Sequence, residues 1–104
     1  RINWSNFMNE SDLVWLIHWF QNQCNVKRQH NEGITITALD NPGWAVFVNL
    51  EGTELENKKF NEINIENSDN DWLVCFVKDK IFKGCGGPFN FSQVLCAFRN
   101  WAQN

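Results

Sequence analysis

A chain of 104 residues and 12.2 kDa has room for one core and not two. With 43% hydrophobic and 20% charged residues it reads as globular and not disordered. A net charge of −3 argues against a general phosphate-backbone binder, and no apolar run approaches the ~18 residues of a membrane span.

The first seven residues, Arg1–Phe7, differ in character from the rest of the chain. Met8 reads as a natural start and 1–7 as an upstream leader, leaving 8–104 as the single domain. Asn9 or Ser11 can cap a helix, with Asp12 in its first turn. Leu13, Leu16, Ile17 and Phe20 recur at helical spacing, with Cys24 one turn beyond and Trp15 and Trp19 on an adjoining face. The spacing predicts an amphipathic helix over 11–24. His18, mid-helix, reads as a boundary residue, and His30 as a solvated loop side chain.

Beyond Gly33 the period changes to two. Ile34 and Ile36 alternate with Thr35 and Thr37, a half-buried strand. Asp40-Asn41-Pro42-Gly43 is a dense turn signal, and Trp44, Val46 and Val48 begin a second strand paired antiparallel to the first. Residues 51–59 read as a polar loop. Short strands are predicted at Glu62–Glu66, Trp72–Val77 and Ile81–Lys83, with Trp72–Val77 central because it is apolar on both faces. Gly84-Cys85-Gly86-Gly87-Pro88 reads as a loop. Asn90, with Gln93 three residues on, predicts a capped helix with Val94, Leu95, Phe98, Trp101 and Ala102 buried. The order is α-β-β-β-β-(β)-α: an α+β domain with an antiparallel sheet of four to five strands. The two helices most simply cover one face of the sheet, side by side.

Chemistry is sparse. Four cysteines (Cys24, Cys75, Cys85, Cys96) form no CxxC pair, and neither histidine completes a zinc-ligand spacing. No metal or cofactor is expected. The first residues lack the pattern of a secretory signal, so reduced thiols in a cytoplasm are the expectation. Cys75 and Cys96 read as small core hydrophobes. Cys85, in its glycine-rich loop, is the one candidate nucleophile and defines the alternative reading of a small thiol enzyme. The more informative feature is charge. Glu51, Glu54, Glu56, Glu62, Glu66, Asp69 and Asp71 face only Lys58 and Lys59, a net of −5 over 51–71, while the remainder of the chain is +2. Such a segment is either a solvated edge or an acidic surface that docks a basic protein. Trp44 and Trp72, where exposed, would be its anchors.

Leu39-Asp40-Asn41-Pro42-Gly43-Trp44, followed by Gly52-Thr53-Glu54-Leu55-Glu56-Asn57-Lys58, Asp71-Trp72 and Phe82-Lys83-Gly84-Cys85-Gly86-Gly87-Pro88, resembles the immunity protein 53 family. Trp15, Trp19, Cys24, Phe98 and Trp101 fit the same pattern, which covers nearly all of the chain after Met8. The resemblance implies a non-enzymatic protein of a bacterial polymorphic toxin system. Its partner would be a cognate toxin domain, such as a nuclease with a basic cleft, with no nucleic acid or membrane bound, and it would act as a monomer or weak dimer. On this reading Asp40, Asn41, Pro42, Gly43, Trp72, Gly84 and Gly86 are structural motif positions, and the 51–71 acids with Trp44 bind the partner. Some similar chains are described as sulfurtransferases related to rhodanese. The short length, the missing βα alternation and the absence of an arginine after Cys85 do not support that activity. One departure is Arg28-Gln29 before His30, where the family pattern has a Trp-Glu pair.

Overall fold

The computed structural model describes residues 11–26 and 33–104, side chains 24–26 excepted. The expectations for 1–8, Asn9, the Cys24 side chain, Arg28-Gln29 and His30 fall outside those residues. The elements are α1 (Asp12–Val26), β1 (Ile34–Leu39), β2 (Gly43–Asn49), β3 (Ile63–Ser68), β4 (Asp71–Lys78), β5 (Ile81–Gly86) and α2 (Phe91–Gln103). The domain is α+β as the sequence predicts. Every neighbouring strand pair is antiparallel, in the spatial order β1-β2-β5-β4-β3. The β1–β2 hairpin forms one edge. Residues 50–62 then carry the chain to the opposite edge, and β3, β4 and β5 step back to close on β2.

Strand register sorts side chains onto two faces. Val46, Val48, Leu73, Cys75 and Phe82 point toward α2 and form the core with Val94, Leu95 and Phe98. Phe98 is the centre of an aromatic cluster, with ring centroids 5.0 Å from Phe82, 5.3 Å from Trp19 and 6.0 Å from Trp15. The 50–62 connection is more than a polar loop: Leu50, Thr53 and Leu55 are buried, and Thr53 Oγ1 donates to the Leu50 carbonyl at 2.7 Å. Trp101 fastens its far end, donating from Nε1 to the Lys59 carbonyl while its own carbonyl accepts from Lys58 Nζ, both at 2.7 Å.

α2 lies directly on the sheet, over β5, β2 and β4, whereas α1 packs chiefly on α2. Both helices lie on the same side of the sheet, with Leu16 and Trp19 of α1 reaching the shared core. Ser11 caps α1, its Oγ accepting from the Val14 N–H at 3.1 Å. Of the predicted stripe, Leu16 is buried and Phe20 packs against the core, but Leu13 and Ile17 are 41% and 54% exposed; Trp19 and Gln23 complete the buried face of α1. Trp19 decides this face: its ring meets Phe98 and its Nε1 donates to Glu54 Oε2 at 2.9 Å. Arg99 links the helices, with Nη1 3.1 Å from Asp12 Oδ1 and the guanidinium 5.7 Å above Trp15.

β5 overturns the expectation of a loop from Gly84. The strand runs through Gly86 and is paired on both sides, so ladder hydrogen bonds offset the weak strand preference of glycine. The glycines are there for room. A Cβ on Gly84 would stand 2.5 Å from Val94 Cγ1, and one on Gly86 would stand 2.9 Å from Asn90 Cβ. β1 is the exposed edge rather than a half-buried strand, since only Ile34 and Leu39 at its ends are partly covered. Cys75 is a core residue as predicted, but Cys96 is exposed on α2.

Two tests bear on this packing. Gly84→Ala should destabilise the fold by about 1–3 kcal/mol. In a Val94→Ala background the same change should cost measurably less, with a coupling above ~0.5 kcal/mol in denaturant titrations. Burial, reinforced by Cys85, pushes the Cys75 thiol up to about 12. The unfolded chain therefore ionises this thiol first, and stability should fall as pH rises above the ordinary thiol value of ~8.5. The chain has no tyrosine to mask the effect. Melts between pH 7 and 10 should lose of order 1–2 kcal/mol, and Cys75→Ala should flatten that slope.

Candidate functional site

Three turns meet at one end of the sheet. They are the β1–β2 turn at Asp40–Pro42, the β3–β4 turn at Asp69–Asn70 and the β5–α2 turn at 87–90. The registers place Trp44, Gly86 and Leu73 in one row there, and the Gly87 N–H donates to the Trp72 carbonyl at 3.1 Å. Asp40, Asn41, Pro42, Gly43, Trp72 and Gly86, scattered in sequence, thus converge. Gly84 lies two residues further along β5, under α2.

Asn90 locks the three turns together. It is 5% exposed and begins α2, with its backbone carbonyl accepting from the Gln93 and Val94 N–H groups. The predicted side-chain cap is absent. The side chain instead reaches across to β4: Oδ1 accepts from the Trp72 N–H at 3.3 Å, and Nδ2 donates to Asp71 Oδ1 at 3.0 Å and to Gln93 Oε1. Bridging two elements satisfies more buried polar groups than a local cap would. Gly87 permits the approach, since a Cβ there would stand 2.7 Å from the Asn70 carbonyl oxygen.

Trp72 and Trp44 leave this end on opposite faces. Trp44 turns to the helix side, with its ring 5.3 Å from that of Phe91. Trp72 lies half-buried on the face away from the helices, where its Cζ2 comes within 3.4 Å of the place a Gly43 Cβ would take. Beside it opens a groove of about 730 Å³ lined by Asn41, Glu66, Asn67, Ser68, Asp69, Trp72 and Val74. Phe89, in the neighbouring turn, is 86% exposed. Sequence reasoning passed over Phe89, although an apolar ring directly after Gly-Gly-Pro is the signal that marks it.

The acids of 51–71 do not form one surface. Glu51, Glu54 and Glu56 lie at the opposite end, beside the β4–β5 turn, about 17 Å away along β5. There Glu54 holds α1, accepting from Trp19 Nε1 and, at 3.0 Å, from Gln23 Nε2. Glu56 pairs with Lys80 at 2.8 Å; that hydrogen bond holds its carboxyl below the ordinary range and raises the lysine. Glu62 is exposed just before β3. Glu66, Asp69 and Asp71 stand at the end where the turns meet, and Asp71 Oδ2 also accepts from Asn67 Nδ2 at 3.2 Å. With Asp40, the three turns and their flanks carry four carboxylates and no lysine or arginine. That potential attracts cationic side chains.

Among the described residues no group of three His, Cys, Asp or Glu is placed to hold a metal. No described helix is long and apolar enough to cross a membrane. The Cys85 thiol faces away from the helices, and burial pushes it up. An activated nucleophile requires the reverse.

The model of immunity protein 53 matches residues 13–103. The chain belongs to the immunity protein 53 family. Membership carries an immunity role, with a toxin protein as the class of partner and binding rather than turnover as the role it suggests. No curated protein and no solved structure matches the chain. The match takes in both helices and the whole sheet, so all three converging turns belong to the immunity protein 53 region.

Removing the Asn90 amide strands the Trp72 N–H and frees Asp71. Asn90→Ala should therefore destabilise the domain by about 1–3 kcal/mol in denaturant titration. Asn90→Asp should also weaken it, because it sets a carboxylate beside Asp71.

Proposed function

We propose that this immunity protein neutralises a cognate toxin domain in the cytoplasm by direct one-to-one binding, docking through the acidic end of its sheet. The observation that carries the reading is the convergence of three family-motif turns, tied by Asn90, into one end whose turns bear Glu66, Asp69, Asp71 and Asp40 and, among the described residues, no lysine or arginine of their own. A partner that fits has a cationic surface, as enzymes acting on phosphate-bearing substrates do. Trp72 and Phe89 offer apolar contact area within the charged surround, the arrangement that concentrates binding energy in few residues. Of the remaining acids, Glu51 and Glu62 extend the negative field, while Glu54 and Glu56 contribute mainly through their intramolecular contacts with α1 and Lys80. Trp44 supports the site from behind through Phe91. The thiol-enzyme reading gains nothing from a half-buried Cys85 whose thiol is pushed up.

The test joins protection to kinetics. Co-expression with the toxin should restore growth of a sensitive host and yield a complex that co-purifies. The double variant Glu66→Lys/Asp69→Lys should keep its melting temperature while its association rate falls at least tenfold at low salt. The wild-type rate should itself fall as ionic strength rises. An association rate unchanged by the reversal would remove the acidic end from the reading.

A further inference from the structure

Both helices and the 50–62 connection contribute to the core on one side of the sheet. On the other side the register aligns Leu39, Phe47, Trp72, Val74, Phe76 and Cys85. Phe47, Trp72, Val74 and Phe76 are half-buried and Ala45 among them is buried, yet none belongs to the core cluster or packs against it. Among the described residues, this face has no layer over it. An antiparallel sheet with one solvated face ordinarily carries polar side chains there; this one carries a band of rings.

The charge on the face is arranged as well. Lys83 stands at the centre, directly paired with Phe47 on one side and Phe76 on the other. Lys78 lies on the same face toward the far end. At the near end Trp72 joins the face to the groove with Glu66 and Asp69, and Glu66 is the direct cross-strand partner of Trp72. The face is thus apolar around Lys83, anionic at the Trp72 end, and carries Lys83 and Lys78 from its centre toward the other end.

We infer that this helix-free face is the body of the toxin-docking surface, a step that rests on the toxin-binding reading above. Its occupant is a toxin domain presenting an apolar ridge, cationic side chains toward Glu66 and Asp69, and a carboxylate toward Lys83. The carboxylate is required because covering Lys83 between two phenylalanines strips its ammonium of water, and an unpaired buried charge is strongly unfavourable. Size agrees. Five strands span about 24 Å and their length is about 20 Å, roughly 500 Å² in projection. Side-chain relief and the adjoining acidic end bring this toward the ~800 Å² per partner of a standard specific complex.

Lysine acetylation of the full chain, free and in complex with purified toxin domain, tests the inference when read by mass spectrometry. Lys83 and Lys78 should be acetylated at least tenfold more slowly in the complex, while Lys59 on the far connection keeps its rate. Lys83→Glu should weaken binding at least tenfold, and Lys83→Met less, with unchanged melting temperatures. If the wild-type chain binds toxin but Lys83 labels at its free rate, the face is not the docking surface and the toxin-binding reading stands. If Lys83 becomes protected without toxin as protein concentration rises, the occupant is a second copy and the inference is overturned. If the wild-type chain does not bind the toxin, the reading falls and the inference with it.

Discussion

The architecture depends on how closely α2 can approach the sheet. That distance is set by what β5 lacks. With hydrogen atoms where Gly84 and Gly86 would otherwise carry side chains, Val94 and Asn90 settle directly onto the strand. Phe98, one helical turn beyond Val94, then drops among Phe82, Trp15 and Trp19. Asn90 comes within reach of the β4 backbone. A side chain at Gly84 would lift the helix, open the core and detach the turn that Asn90 holds. One packing constraint therefore sets both the stability of the domain and the shape of the end where the three turns meet.

From that constraint the division of labour between the two faces arises. Among the described residues the coverage falls on one side, and Phe47, Trp72 and Phe76 lie on the other. The acids divide in a similar way. Glu54 and Glu56 serve the fold, tying α1 and the β4–β5 turn. Glu66 and Asp69 stand at the rim of the groove beside Trp72. Charge counted along the chain treats these residues alike; their hydrogen-bond partners separate them.

The sequence carried the element order well because periodicity, turn residues and caps are local signals. The shift from helical to alternating spacing at Gly33 and the Asp-Asn-Pro-Gly turn read correctly, and Ser11 is the one of the two candidate caps that bonds to α1 among the described residues. What it hid were consequences of packing. Gly84 and Gly86 look like loop residues until α2 is seen lying against them. Leu13 and Ile17 look like part of the buried stripe with Leu16 and Phe20 until Trp19 is found bonded to Glu54. Asn90 looks like a local cap, yet its partners are residues 18 and 19 positions away. The site was legible as separate motifs in the family resemblance. That the motifs share one end of the sheet is a property of the β1-β2-β5-β4-β3 order, which brings β5 from the end of the chain to lie between β2 and β4.

The proposed docking seats a toxin on the helix-free face and its acidic end, and leaves α1 and α2 outside the interface. A structure of the complex would examine that geometry atom by atom. Toxin atoms should contact Trp72, Phe76 and Lys83, with cationic side chains at Glu66 and Asp69 and solvent over Ile17 and Cys96. A toxin seated on α1 or the outer surface of α2, with the Phe47–Lys83–Phe76 row still facing water, would contradict it.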